Sequence, residues 1–193
     1  MKDLQIPSRE TEIILTELRK TQDIAGDVVE FGCYAGDTSV ELARALQATP
    51  DKWLYLYDSF EGLPEKTAAD QSNAGWRFQA GELKVSPDTV AHKFKKFNLP
   101  DPVIVKGWFD ELTDDDLPTK ISFALFDGDF YESIKTSFTK VVPRLSVGGI
   151  IVVHDYRNPA LPGSAKAVNE FVTAHRDAYD FRLAASLAIL IKQ

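Results

Sequence analysis

"DVVEFGCYAGDTSVELARAL", Asp27 to Leu46, decides how the chain folds. DVVEF is a short apolar run with paired valines, the composition of a buried strand. Gly32 and Gly36 end it, and glycine lets a backbone turn tightly or pass close to another group. DTSVELARAL then spaces its apolar residues at helical intervals, with Asp37 or Thr38 as the expected cap. A strand that turns directly into a helix is the first half of a βαβ unit, the connection that parallel strands require.

The alternation continues outward. Upstream, Ser8 is the expected cap of a short helix over 8–21 that carries Ile13, Ile14 and Leu18. Downstream, KWLYLYDSF reads as the second strand. A polar stretch from Glu61 to Leu83 has little periodicity, and its length suits a lid or binding loop. SPDTVAHKFKKF opens a helix with Ser86 as cap and Pro87 at its first position, and a cap is the favoured role for Ser86 over contact with a ligand. PVIVKG and ISFALFDGD are strands, YESIKTSFTKVVPRL is a helix that Pro143 ends or bends, and GGIIVVHDY is a fifth strand. After the helix PGSAKAVNEFVTAH, the runs FRLAAS and LAILIK lie too close together for a helical crossover and form an antiparallel hairpin at the sheet edge. Several strands are apolar without a period of two, as in sheets covered on both faces. The expected architecture is α/β: seven strands, mostly parallel, with helices on both faces, in one domain over 1–193.

Composition excludes whole classes. Hydrophobic residues make up 44% and charged residues 26%, an ordinary globular mixture. No apolar run reaches the length of a membrane span, and the opening residues MKDLQIPSRE are too polar for a secretory signal. Cys33 is the single cysteine, so no internal disulfide is expected and a reducing cytoplasm is the simple inference. A net charge of −7 argues against general nucleic-acid binding. His92 and His175 fall in helical patterns and are read as solvated.

Ligands of such sheets sit at the carboxyl ends of the strands, where the strand order reverses. The turn after the first strand lacks both the G-x-G-x-x-G dinucleotide pattern and a triphosphate loop. It places an acid, Glu30, before Gly32, where a carboxylate would repel a pyrophosphate but accept a hydrogen bond from an ammonium group. Gly36 follows, and the next helix offers free N–H groups. Asp58 ends the second strand, the place from which an acid accepts the hydroxyls of a ribose. An amino-acid tail and a ribose together describe S-adenosyl-L-methionine; the competing reading is a turn with no ligand.

The stretches DVVEFGCYAGDTS, LYDSFEGLPE, VKGWFDELTDDDLP, FALFDGDFYESIK, PRLSVGGIIVVHDY and PGSAKAVNEF, in this order, resemble the class I S-adenosylmethionine-dependent methyltransferases. More narrowly, they resemble the macrocin O-methyltransferase (TylF/MycF/NovP-like) family, which methylates sugar hydroxyls of natural products. The resemblance implies a Rossmann-like fold in which Glu30, Phe31, Gly32, Cys33, Asp58, Ser59 and Phe60 line the cofactor. It places Gly107 and Trp108 near the adenine, against a core role for Trp108. In that fold the fourth strand lies beside the first and the fifth beside the fourth. Asp127, Asp129, His154 and Asp155 then converge, and three carboxylates so close call for a positive partner. The implied partner is a divalent metal, Mg2+ or else Mn2+, with Asp127 and Asp155 as ligands, Asp127 also bordering the donor, and Asp129 as the base. An i, i+2 placement on one strand face would let Asp127 and Asp129 act together. His154 stands where the family often has an aspartate, which leaves it either a third ligand or a buried histidine satisfied by its neighbours.

The reaction so implied is methyl transfer to a hydroxyl of a sugar or other small natural product, in a cytoplasmic protein for which a homodimer is the candidate assembly. Family members are often longer at the N-terminus, so a smaller or more open acceptor is the expectation here. Four readings compete. A catechol-type O-methyltransferase would use a lysine base, for which Lys135 and Lys166 are available on helices. A metal-dependent glycosyltransferase or an aspartyl-phosphate phosphatase would use the D-x-D pair on a phosphorylated ligand. A catalytically silent S-adenosylmethionine-binding domain would keep the donor turn alone.

Overall fold

A computed structural model describes residues 6–193. Residues 1–5, the first half of the polar stretch read above as lacking a signal, lie outside the described residues. The elements run α1 (Ser8–Lys20), β1 (Asp27–Phe31), α2 (Asp37–Leu46), β2 (Leu54–Asp58), α3 (Pro87–Lys96), β3 (Val103–Lys106), β4 (Ile121–Phe126), α4 (Tyr131–Val141), β5 (Leu145–Val153), α5 (Pro162–Ala174), β6 (Tyr179–Ala184) and β7 (Leu187–Lys192). The seven strands form one sheet in the order β3-β2-β1-β4-β5-β7-β6. β1 to β5 pair in parallel, and β7 runs antiparallel to both β5 and β6. The expected architecture and closing hairpin are therefore present. Among the described residues no helix is long and apolar enough to cross a membrane.

The lack of alternation in the strands has a simple cause: each face of the sheet has its own core. Val28, Phe123, Leu125, Ile150 and Val152 pack on one side with Ile14 and Leu18 of α1, Val40 and Leu42 of α2, and Val90 and Phe94 of α3. Val29, Phe31, Ala124, Phe126, Ile151 and Val153 pack on the other with Ile134 and Phe138 of α4 and Val168 of α5. Successive side chains alternate between two apolar layers, so every position is apolar.

Three local expectations are corrected. Ser8 does not cap α1: Pro7 holds the cap position without a side-chain bond, and its carbonyl accepts from the Glu10 and Thr11 amides. Neither Asp37 nor Thr38 caps α2; Gly36 does, in the left-handed conformation, and Asp37 becomes the first helical residue, where a carboxylate suits the helix dipole. Asp127 and Asp129 do not share a strand face, because β4 stops at Phe126 and Asp129 is left-handed with φ 59°. Ser86 caps α3 as expected, accepting from the Asp88 amide.

The 61–83 stretch is packed rather than irregular throughout. Leu63 exchanges backbone hydrogen bonds with Gly81 and Glu82, closing the base of the loop. Asp70 is buried, accepts from the Thr67 amide and hydroxyl, and reaches across to accept from the Tyr131 amide at the start of α4. Leu63 also packs with Phe130 and Leu161, against which Phe78 and Leu83 lie.

Gly32 is required by the fold itself. Its φ is +90°, and a Cβ there would sit 2.2 Å from the Asp127 carbonyl oxygen. Gly81 has a similar φ of +80° but open space around it. Chemical denaturation should therefore separate backbone strain from collision. Gly81→Ala is expected to lose about 1 kcal/mol, and Gly32→Ala several kcal/mol more because a sheet strand must move. Equal losses would show that the close approach of β1 to the β4 exit is not constraining.

Candidate active site

The backbone ladder continues one residue past the central strands. The Gly32 amide donates to the Tyr57 carbonyl at 2.8 Å, Asp127 to Phe31 at 2.8 Å, His154 to Phe126 at 2.9 Å and Gly107 to Asp58 at 3.0 Å. The exits of β1 to β5 are thereby held at one level. Just past four of them lie non-glycine residues with positive φ: Tyr34, Phe60, Asp129 and Asp155. Such conformations are sparsely populated and cluster where a site demands them.

Above these exits opens a cavity of about 620 Å³. Of the residues read as cofactor-binding, Glu30, Gly32, Cys33, Asp58, Ser59, Trp108 and Asp127 line it. Phe31, Phe60, Gly36 and Gly107 do not. Phe31 alternates into the core, 4.6 Å from the Tyr57 ring centroid, and Phe60 is buried in the opposite layer. Gly36 instead faces Val90 of α3, where an added Cβ would lie 3.1 Å from a methyl group. Tyr34 lines the wall without having been read from the sequence, Thr38 lines it although read only as a helix cap, and Leu63 and Phe78 line it from the stretch read as a lid or binding loop. Trp108 is on the wall rather than in the core.

Two acids at the exits of β1 and β2 are tied down. Glu30 is buried and accepts from the Ser39 hydroxyl at 2.5 Å. Burial pushes its carboxyl up to about 8, against the opposing effect of that hydrogen bond. Asp58 accepts from the Cys33 and Tyr34 amides with one oxygen and from the Phe60 amide with the other. Burial still raises its carboxyl above the ordinary range. Asp58 thus fastens the turn after β1 to the turn after β2, a task the ribose reading did not include, and Oδ1, which accepts one bond against two at Oδ2, is the oxygen with lone-pair capacity left.

At the other end His154 stands among carboxylates. Its Nδ1 lies 3.0 Å from Asp127 Oδ1 and 2.9 Å from Asp155 Oδ2, and its Nε2 lies 3.0 Å from Glu10 Oε2. Burial disfavours its charged form, but Asp127 and Asp155 outweigh that and raise it to about 12. Asp155 Oδ1 accepts from Asn158, and Glu10 Oε1 accepts from the amide and hydroxyl of Ser186. Asp129 lines the cavity, and burial together with Asp127 and Asp155 holds its carboxyl well above the usual range. One donor atom each from Asp127, His154 and Asp155 lie within 4.8 Å of one another. Two carboxylates and an imidazole suit a divalent ion, so the chemistry of the donor set fits the metal that the fold implies.

The charge of the wall decides what it can bind. Glu30, Asp37, Asp58, Asp110, Asp127, Asp129, Glu132 and Asp155 all line it, and among the described residues His154 is the single basic group on the wall, with no lysine or arginine. Lys135 and Lys166 lie outside on α4 and α5, both beside the Tyr131 ring. A sulfonium, an ammonium or a metal cation is attracted there; a bare phosphate is not.

A profile of the Macrocin-O-methyltransferase (TylF) family matches residues 12–183. The chain belongs to the macrocin O-methyltransferase family. Demethyldecarbamoylnovobiocin O-methyltransferase of Streptomyces niveus is 32% identical over 162 residues, covering 77% of this chain and 59% of that protein. The 8-demethyl-8-(2,3-dimethoxy-alpha-L-rhamnosyl)-tetracenomycin-C 4'-O-methyltransferase of Streptomyces olivaceus is 30% identical over 156 residues, covering 77% of this chain and 58% of its own length. The chain thus spans about three-fifths of these curated relatives. The structure of the O-methyltransferase NovP shares the fold, with a TM-score of 0.84 over 98% of this chain and 82% of that one at 24% identity. In this macrocin O-methyltransferase family member, the strand exits that carry the cavity all fall within the matched segment.

Glu30 gives this family member a pH signature. Its carboxyl titrates near 8 in the fold against an ordinary value of 4.5, so the folded state holds a proton that the unfolded chain has released. Stability from this group therefore falls as pH rises from about 4.5 to about 8 and is level outside that window. Glu30→Gln should remove that slope. Relative to the parent, the variant is expected to gain stability between pH 5 and pH 8, by an amount on the order of 4 kcal/mol at most. Thermal melts across that range check this, and parallel profiles for the two proteins would refute a neutral, buried Glu30.

Proposed function

We propose that the chain transfers a methyl group from S-adenosyl-L-methionine to a hydroxyl of a sugar or another small natural product. The observation that carries this reading is the acidic cavity at the parallel strand exits, on whose wall no lysine or arginine stands among the described residues. Family membership supports the reaction class, and a rhamnosyl group in the name of one relative supports a sugar acceptor.

The donor supplies an electrophilic methyl on a sulfonium and carries an ammonium group and a ribose. In this reading Glu30 and the turn after β1 receive the amino-acid end, and Asp58 the ribose. Gly32 leaves room for close approach because it has no side chain. Trp108 and Phe109 line the same cavity and offer an aromatic surface to the adenine. Asp127, His154 and Asp155 would hold a divalent ion, which lowers the pKa of a bound hydroxyl. Asp129 accepts the hydroxyl proton on its carboxylate, and its raised affinity for a proton suits a base. The wall aligns the attacking oxygen with the methyl carbon. Leu63, Pro64, Phe78 and Leu83 contribute apolar surface that excludes water.

The catechol-type alternative needs a lysine base, and among the described residues the cavity wall carries none. A glycosyltransferase or phosphatase would need to neutralise phosphate, and an acidic wall does the opposite.

Calorimetry with S-adenosylhomocysteine, followed by methyl transfer to a panel of vicinal-diol glycosides and catechols, tests the proposal. Binding of the homocysteine product and turnover of glycosides are expected. Binding without turnover of any acceptor would mark a silent domain, and no binding would remove the donor. Asp129→Asn is expected to lower kcat by about 100-fold or more while product binding persists. A variant at full rate would exclude Asp129 as the base. Exhaustive chelation is expected to slow transfer, with Mn2+ or Mg2+ restoring it; unchanged rates would dismiss the ion.

A further inference from the structure

We propose that Glu10 is a positioning residue that makes His154 Nδ1 a metal ligand, and that this pair biases the site toward a borderline ion such as Mn2+ over Mg2+. The inference rests on the metal reading above and adds which ion is held and why.

An imidazole has two nitrogens, and the hydrogen bond made by one fixes what the other can do. Here Nε2 faces Glu10 Oε2 at 3.0 Å, and both residues are buried, His154 at 7% exposure and Glu10 at 8%. Glu10 is committed to the role of acceptor. Its other oxygen already receives the Ser186 amide at 3.1 Å and the Ser186 hydroxyl at 2.5 Å. An ionised carboxylate facing Nε2 keeps the proton there, so Nδ1, whose proton faces the two aspartates here, is the nitrogen that would give up its proton to an ion. A carboxylate behind a ligating histidine is the recurrent second support of such metal sites.

The opposite side is prepared in the same way. Asn158 holds Asp155 Oδ1 at 2.9 Å, which turns Oδ2 toward Nδ1. Asp127 Oδ1 lies 3.0 Å from Nδ1, and among the described residues no other side chain or amide is seen to donate to its carboxylate. Separations of 2.9 and 3.0 Å match adjacent ligands of an octahedral ion whose bonds are about 2.1 Å long. Mg2+ favours oxygen donors, whereas an imidazole raises affinity along the first-row series. An imidazole beside two carboxylates therefore shifts selectivity toward a first-row ion rather than abolishing the site.

Glu10 also ties α1 to the exit of β5 and to the hairpin turn at Ser186, so loss of stability would not distinguish the two roles. Metal binding does. Glu10→Gln is the informative change. Its carbonyl would keep the Ser186 bonds and turn an NH2 group toward Nε2, which forces Nε2 to accept and places the proton on Nδ1, where it blocks the metal.

The test is equilibrium dialysis of chelator-stripped full-length protein against MnCl2 and MgCl2, for the parent, Glu10→Gln and His154→Asp. Pulsed electron paramagnetic resonance of the Mn2+-loaded parent is run alongside. Glu10→Gln is expected to lose about 10- to 100-fold in Mn2+ affinity. His154→Asp is expected to reduce the Mn2+ to Mg2+ affinity ratio by about tenfold or more. The parent is expected to show nitrogen coupling to Mn2+ that His154→Asp lacks. Bound Mn2+ without nitrogen coupling, or parental Mn2+ affinity in a folded Glu10→Gln, would overturn the role of Glu10 while leaving the metal reading intact. No binding of either ion by the parent would overturn both.

Discussion

The structure depends on the parallel pairing of β1 to β5, which brings their carboxyl ends to one edge. In a parallel ladder every strand points the same way, so the residue that ends each strand emerges beside the residue that ends its neighbour. The amide bonds one step beyond the strands, from Gly32, Asp127, His154 and Gly107, extend that registration into the turns. Acids far apart in sequence then share one cavity wall. The placement is electrostatically unfavourable while the wall is bare, and burial adds to the penalty. The raised proton affinities of Glu30, Asp129 and His154 are the response of the fold to that imbalance.

Backbone donors and buried side chains make such a wall tolerable. Three amides serve Asp58, a hydroxyl serves Glu30, and an asparagine serves Asp155. Among the described residues Asp127 is served by His154 and by no amide, and Asp129 has no such support; both line the cavity. The division between supported and unsupported acids separates groups that also hold the turns together from groups left available for chemistry. Asp58 shows that the two tasks can coincide, since the same carboxylate that lines the cavity also staples two strand exits.

One side of the cavity is built from the segment between β2 and α3. Its polar composition hides a small apolar cluster of Leu63, Phe130 and Leu161 that anchors it beside the cavity. Asp70 adds a polar tether, since its bond to the Tyr131 amide fixes the loop to the start of α4. Glu61, paired with Lys84 and Lys106, holds the loop at its entry. The stretch therefore forms a wall with fixed ends, which a count of its hydrophobic residues would not reveal.

Much of this was legible in the chain. The glycine turn after DVVEF, the apolar strands without alternation and the two close terminal strands dictated a parallel sheet with a reversed hairpin, because local periodicity and loop length act within short windows. The acids at the strand exits were also legible, since a strand's end is marked by where its apolar run stops. Tertiary structure alone decided which way side chains turn there: Phe31 and Phe60 into the cores, Asp129 into a left-handed turn. It alone decided that Glu10 would meet His154, 144 positions away, and Ser186, 176 positions away. Contacts at that separation follow from how a helix packs over a sheet, and no local propensity encodes them.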